Sequence, residues 1–227
     1  MNQIQVELQD IMGSDKSIAE AAWTSSTTLQ GKSKRTQEDI ERVVKLLAES
    51  KHSVPFESVV FRFWIKMPIS IDRQFMTHRI ASNSGMSGRY RTMPSEFLNV
   101  PSDVEYILTK AHRSFYVSEY VNICKQANDT YKQALNDLKF KEKENIITNS
   151  EYKRAREFLR GMLPQNNMTE RVSIMNLRSF ANFVKLRNSE HAQPEIRQVA
   201  QLMLESVKQS NVCPMAVKVL EEQNWII

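Results

Sequence analysis

The sequence predicts an α+β fold: a small antiparallel sheet with several packed helices, in a single domain over residues 1–227. Three observations carry this expectation. SVVFRFWIKM (58–67) alternates apolar and polar residues as a strand does. RVSIMNLRSFANFVKLR (171–187) reads as a strand running into a helix, and two further segments repeat apolar residues at helical spacing. No repeat, low-complexity tract or linker divides the chain.

The elements follow in order. QIQVEL (3–8) suits a short strand. TQEDIERVVKLLAESKH (36–52) suits an amphipathic helix: Thr36 is the cap candidate with Asp39 three residues on, and Ile40, Val43, Val44 and Leu47 form its stripe. After Pro55, the strand at 58–67 turns Val59, Phe61, Phe63 and Ile65 one way and Arg62, Trp64 and Lys66 the other, until Pro68. ISIDRQFMTHRIA (69–81) reads as a helix feeding a loop. Beyond Pro101 the chain is mostly helical, through 116–138 and 151–163. The charged, sign-mixed stretch 139–157 reads as a solvated face or connector. HAQPEIRQVAQLMLESV (191–207) is strongly helical, with Pro194 in its first turn and Ile196, Val199, Ala200, Met203 and Val207 as its stripe.

Composition excludes several classes. With 41% hydrophobic residues a real core can form, and a net charge of +5 from 31 basic and 26 acidic residues suits anionic small molecules as readily as nucleic acid. The N-terminal MNQIQVELQD is not a signal peptide, and the most apolar window, VVFRFWI, is broken by Arg62 and too short to span a bilayer. Cys124 and Cys213 stand far apart with no CxxC or Cys/His spacing, so neither a disulfide framework nor a metal site is expected, and the default is a soluble cytoplasmic protein.

Two constellations carry chemistry. MTHRIASNSGMSGRYR (76–91) packs three arginines, a histidine, three serines and two of the five glycines into one stretch. Gly85 and Gly88 allow positive φ, so backbone N–H groups could converge on an anion beside Ser84, Ser87, Arg89 and Arg91; a basic surface turn is the other reading. Gln74 and His78, four apart, would share one helix face at the loop's entrance with Arg79, while Ile71 and Phe75 pack inward. The second is NLRSFANFVKLRNSEHAQPEIR (176–197). Leu177, Phe180, Ala181 and Val184 make a buried stripe, and Arg178 and Asn182 lie one turn apart on another face. Helix capping and ion pairing would explain each of these polar groups taken singly.

Together, they resemble a known family. HRIASNSGMSGRY (78–90) is similar to the signature of the flavin-dependent thymidylate synthases, R-H-R and then, after seven intervening residues, the serine of S-G-R-Y. LRNSEHAQPEIR (186–197), HSVPFE (52–57) and REFLRGMLP (156–164) continue the resemblance in the family's order, over most of the chain. The resemblance implies that Gln74, Ser87, Gly88 and Arg89, with Arg160, hold the phosphate and sugar of a pyrimidine nucleotide; Thr77 and Gly85 stand at positions of the same set. It implies that Arg187 lies against the uracil ring as the catalytic residue, favouring negative charge there. His78, Arg79, Ile80, Asn176, Arg178, Asn182 and His191, with Val54 nearby, would line the site of FAD. NADPH and methylenetetrahydrofolate would be co-substrates for conversion of dUMP to dTMP, in sites shared between subunits of a homotetramer.

The residues agree with that chemistry. A fixed arginine stabilises developing anionic charge where water is excluded. Neither cysteine has the setting of a base-attacking nucleophile, and no GxGxxG announces a Rossmann domain. Four positions depart from the family's pattern: Thr77 replaces the first arginine of R-H-R, Gly85 a glutamate, Ser84 an asparagine, and Trp23 an arginine. A homologue acting on UMP or dCMP, or adding hydroxymethyl, would carry such changes; so would a divergent lineage such as a virus, in host cytoplasm. A basic nucleic-acid-binding protein on the same scaffold is the alternative from another class. It would be colourless with steeply salt-dependent DNA affinity, whereas the enzyme would purify yellow.

Overall fold

The computed structural model describes residues 3–28, 31 and 35–226. Its contacts gather into two compact units, each assembled from separate stretches of chain. The first comprises Met1–Met67, Arg73–Ser84 and Glu170–Ile227, the second Pro68–Asp72 and Gly85–Thr169.

An antiparallel four-stranded sheet organises the first unit. Its strands are β1 (Gln5–Met12), β2 (Val60–Pro68), β3 (Ser82–Gly85) and β4 (Met168–Asn176), in the spatial order β1-β2-β4-β3. β1 runs antiparallel to β2, with Val6 opposite Ile65 and Leu8 opposite Phe63; a register shift between Leu8 and Asp10 carries the pairing on to Met12 and Val60. The alternation in β2 is realised. Phe61, Phe63 and Ile65 are fully buried, as is Val59 just before the strand, while Arg62 is exposed and Trp64 and Lys66 are half-buried.

Among the described residues of this unit are the helices α1 (Asp15–Trp23), α2 (Gln37–Glu49), α7 (Leu177–Arg187), α8 (Pro194–Ser210) and α9 (Pro214–Glu222); α7 packs on α8, and α1, α2 and α9 pack on one another. The expected cap of α2 is present in full: Asp39 N–H donates to Thr36 Oγ1 at 3.2 Å and Thr36 N–H to Asp39 Oδ2 at 3.0 Å. α2 stops at Glu49, short of the expected 52, because Lys51 turns left-handed (φ 57°) and His52 N–H returns to the Leu47 carbonyl. Leu177, Phe180, Ala181 and Val184 of α7 are all buried, and the Phe180 ring meets Phe61 edge-on at 5.3 Å and stacks on Phe63 at 5.8 Å. α8 presents its predicted stripe inward and packs on β1. Trp23, a departure from the family pattern, is a core residue here, 6% exposed, with the Arg35 guanidinium 5.4 Å over its ring. Buried Asp15 accepts from the N–H groups of Met215 (3.1 Å) and Ala216 (2.8 Å), anchoring the first turn of α9.

Two expectations are corrected. The helix expected over 69–81 is only α3 (Ile69–Phe75); the chain then turns and enters β3. Ile71 and Phe75 do pack inward, but Gln74 and His78 share no helix face, because β3 claims backbone bonds in the sheet and His78 is drawn into the core. Gly85 and Gly88 do not take positive φ; Gly13, at φ 87°, is the glycine that does among the described residues. Gly85 ends β3 in extended geometry, and Gly88 serves through size instead.

The second unit holds α4 (Ser102–Lys110), α5 (Phe115–Lys143) and α6 (Asn149–Leu159), then a single 3₁₀ turn at Arg160–Met162. Tyr131 and Leu135 of α5 pack with Met93, and Ile69, Met86, Leu159 and Leu163 close around them. Buried Asn128 and Asn167 exchange side-chain hydrogen bonds at 2.7 and 3.1 Å. The charged stretch 139–157 is the solvated end of α5, a connector and most of α6, with Lys141 paired to Glu144 at 2.9 Å.

Candidate active site

The site residues of the first unit grow from the end of α3 and the start of α7. Phe75 fixes α3 through its ring contact with Phe183, 4.9 Å between centroids. The chain then reverses, with Thr77 N–H bonding the Gln74 carbonyl (3.2 Å) and His78 N–H that of Phe75 (3.1 Å). Thr77 Oγ1 also donates to the Gln74 carbonyl at 2.7 Å. Arg187, at the last position of α7, reaches into this reversal: one terminal nitrogen donates to Thr77 Oγ1 at 2.6 Å and to Gln74 O at 3.3 Å. The Gln74 side chain bonds that of Gln193.

His78 is 7% exposed, edge-on to Phe183, with Nε2 2.8 Å from Ser179 Oγ. That hydroxyl has one hydrogen, which it gives to the Ile80 carbonyl. His78 Nε2 therefore carries the proton, an assignment made from the hydrogen-bond network. Burial, and next the charge of Arg187, push the imidazole below its usual 6.5. Folding thus favours the neutral ring, so stability is full above pH 6.5 and declines as pH falls through the lower folded value. The urea midpoint should drop across that window, and His78→Gln should flatten the drop.

Beside this reversal lies a cavity of about 610 Å³. Arg178, Asn182 and Lys185 line it from α7, with Asn176, Ile80 and Trp225 around them. Asn176 also caps α7, accepting from Ser179 N–H at 2.8 Å. Arg178 pairs with Glu57 at 2.7 Å, and Lys185 Nζ donates to the Asn224 carbonyl at 2.7 Å. A second cavity of about 350 Å³ is lined by Thr77, His78, Arg79 and Arg187, and it shares Ile80 and Asn182 with the first. Val54 and His191 line neither cavity. Val54 opens the 3₁₀ turn at Val54–Ser58 and is 69% exposed, while His191 is exposed, its N–H on Ser189 Oγ at 3.3 Å.

In the second unit Ser87, Gly88, Arg89 and Arg160 come together. Gly88 is buried, and a Cβ there would lie 3.1 Å from both Arg160 Cδ and Met93 Cγ, so the arginine stem passes where a side chain would sit. The loop is not an open nest. Ser87 Oγ accepts from Arg89 N–H (3.3 Å), and the Ser87 carbonyl accepts from Tyr90 N–H (3.1 Å) and Arg91 N–H (3.3 Å). Arg89 Nε donates to Glu157 at 2.8 Å, which holds that carboxyl below its usual range.

The family model described as thymidylate synthase complementing protein matches residues 7–215. The chain belongs to the flavin-dependent thymidylate synthase family. It is 33% identical over 195 residues to the flavin-dependent thymidylate synthase of Thermosipho melanesiensis, covering 86% of this chain and 81% of that protein. To that of Thermosipho africanus it is 35% identical over 203 residues, covering 86% and 82%. Its fold is similar to the UMP/dUMP methylase PolB of Streptomyces cacaoi bound with 5-Br dUMP, with a TM-score of 0.76 and 22% identity over 100% of this chain and 98% of that one. Membership makes the chain an enzyme, a flavin-dependent methyltransferase for C5 of a pyrimidine nucleotide.

Sequence reasoning missed Lys51, Ser53, Glu57, Ser179, Lys185 and Trp225, which also line the larger cavity. Lys185 was within reach of the pattern, seven residues after Arg178 and so on the same face. Trp225 arrives from beyond α9 and has no local signal.

Proposed function

We propose that this enzyme converts dUMP to dTMP with methylenetetrahydrofolate as one-carbon donor and NADPH as reductant. The observation that carries the reading is the placement of Arg187: held at one nitrogen by Thr77 and Gln74, its cation stands beside a neutral His78 on the wall of a cavity. A permanently charged, oriented guanidinium against a pyrimidine favours the electron density that must build at C5 before a carbon is added there.

The larger cavity fits FAD. Arg178 and Lys185 supply cations, Asn176 and Asn182 amide donors, and Ile80 and Trp225 apolar walls, in a volume within the range of cofactor sites, roughly 300–1,000 Å³. We assign Ile80, Asn176, Arg178 and Asn182 to holding it from this cavity and His78 and Arg79 from the adjoining one; Val54 and His191, which line neither, would complete the site in the homotetramer proposed below. FAD supplies the redox chemistry when bound. Burial and then the charge of Arg187 favour the neutral form of His78, and its committed Nε2 proton keeps the ring in one orientation.

The nucleotide takes Gln74, Thr77, Gly85, Ser87, Gly88, Arg89, Arg160 and Arg187, with the basic loop on the phosphate. A phosphate at Arg89 would share or replace the Glu157 carboxylate. Ser87→Ala and Arg89→Ala should each lower nucleotide affinity about tenfold or more, since a hydrogen bond to a charged group contributes roughly 1.5–3 kcal/mol. Calorimetric titration should find flavin affinity kept; equal loss of both ligands would assign the loop to the fold.

We further propose that residues 1–227 work as one flavin-dependent synthase domain, in a homotetramer with shared sites. Exposed apolar side chains on the helices of the second unit, Tyr106, Ile107, Phe115, Tyr116, Ile123 and Phe140, support an association surface. Among the described residues no helix is long and apolar enough to cross a membrane. Cys124 and Cys213 are buried and unpaired, and burial pushes the Cys213 thiol up to about 12; we place the enzyme in the cytoplasm. The deciding experiment incubates the reduced protein with methylenetetrahydrofolate and dUMP, UMP or dCMP, and reads product masses. A gain of one methyl on dUMP alone supports the proposal. Methylated UMP or dCMP, or a hydroxymethyl product, replaces it with the corresponding variant.

A further inference from the structure

The Thr77 hydroxyl stands between two partners. Its hydrogen goes to the Gln74 carbonyl at 2.7 Å, which leaves the oxygen's lone pairs for the Arg187 nitrogen at 2.6 Å. Gln74 O itself, at the end of α3, accepts from Thr77 N–H, Thr77 Oγ1 and Arg187. A carbonyl at a helix C-terminus carries partial negative charge and suits a cation. The guanidinium is thus held by an acceptor chain that starts at a helix end and passes through one hydroxyl.

Arginine, which the family's signature carries at this point, has five donors and no acceptor. It could not hold Arg187 in this way, and its charge would repel it. Valine has the shape of threonine and no acceptor; serine keeps the acceptor and loses a methyl. Thr77 is exposed on the surface of the reversal, so neither exchange disturbs the core.

We propose that Thr77 is the positioning residue of Arg187, fixing through its hydroxyl the direction in which the guanidinium meets the substrate ring. The substrate half of this inference rests on the function proposed above; the hold of Thr77 on Arg187 does not.

The test compares Thr77→Val and Thr77→Ser in the full chain. With nucleotide saturating, Thr77→Val should lose turnover about tenfold to a hundredfold and Thr77→Ser no more than about threefold, the range expected for one hydrogen bond to a charged group. Flavin affinity should be unchanged in both. The ligand-free readout is the His78 ring, followed by NMR in histidine-labelled protein. Burial, and after it the charge of Arg187, lower the His78 pKa in the intact site, so releasing Arg187 should move the His78 midpoint upward in Thr77→Val and leave it in place in Thr77→Ser. Wild-type turnover in Thr77→Val overturns the proposal. So does an unmoved His78 midpoint in Thr77→Val, or equal damage from both variants. A wild-type protein that methylates none of the three nucleotides would fail the function reading alone, because the His78 comparison still decides whether Thr77 holds Arg187.

Discussion

Arg187→Ala should lose turnover by about a hundredfold to a thousandfold with all substrates saturating, the scale on which removal of one pre-oriented donor to a developing anion acts. The side chain is half-buried. Arg187→Lys retains the charge but not the planar fork that meets Thr77 and Gln74 through one nitrogen. It should fall between alanine and wild type. Flavin reduction by NADPH without nucleotide should be much less affected in either variant. Loss of turnover at saturation separates a transition-state role from substrate capture, which would raise KM alone. An alanine variant turning over normally would take Arg187 out of the chemistry.

Phe180→Ala carries the largest expected effect on stability. Phe180 is fully buried on the same helix as Arg178, Asn182 and Arg187, between Phe61 and Phe63. Deleting a buried phenylalanine ring costs about 3–5 kcal/mol, a large share of the roughly 5–15 kcal/mol that holds a domain together. Arg178→Ala, on the opposite face, removes an exposed ion pair with Glu57 and should cost about 1 kcal/mol or less. Urea unfolding of both variants reads the contrast. A Phe180→Ala cost below about 1 kcal/mol would contradict the packing described for α7.

That contrast marks where local pattern was enough. The α7 stripe, the alternation of β2, the Thr36–Asp39 cap and Pro194 in the first turn of α8 were legible because each depends on residues one to four apart in the chain. β3 was not legible: Ser82–Gly85 is polar and exposed, and only pairing with β4 makes it a strand. The family too was legible, since two separated motifs recur in order and at the right distance.

What pattern alone could not supply is how the polar groups are engaged. Thr77 read as a missing arginine, yet its hydroxyl holds Arg187 from 110 residues away. His78 read as a helix-face donor at a loop entrance, yet its Nε2 proton is spent on Ser179, 101 residues distant. The basic loop read as an open anion nest, but its N–H groups close on Ser87 and its arginine on Glu157. Apolar periodicity is set by the geometry of one helix or strand and can be read along the chain. A hydrogen bond needs its partner within about 3 Å in the right direction, and only the packing of distant segments brings that partner there.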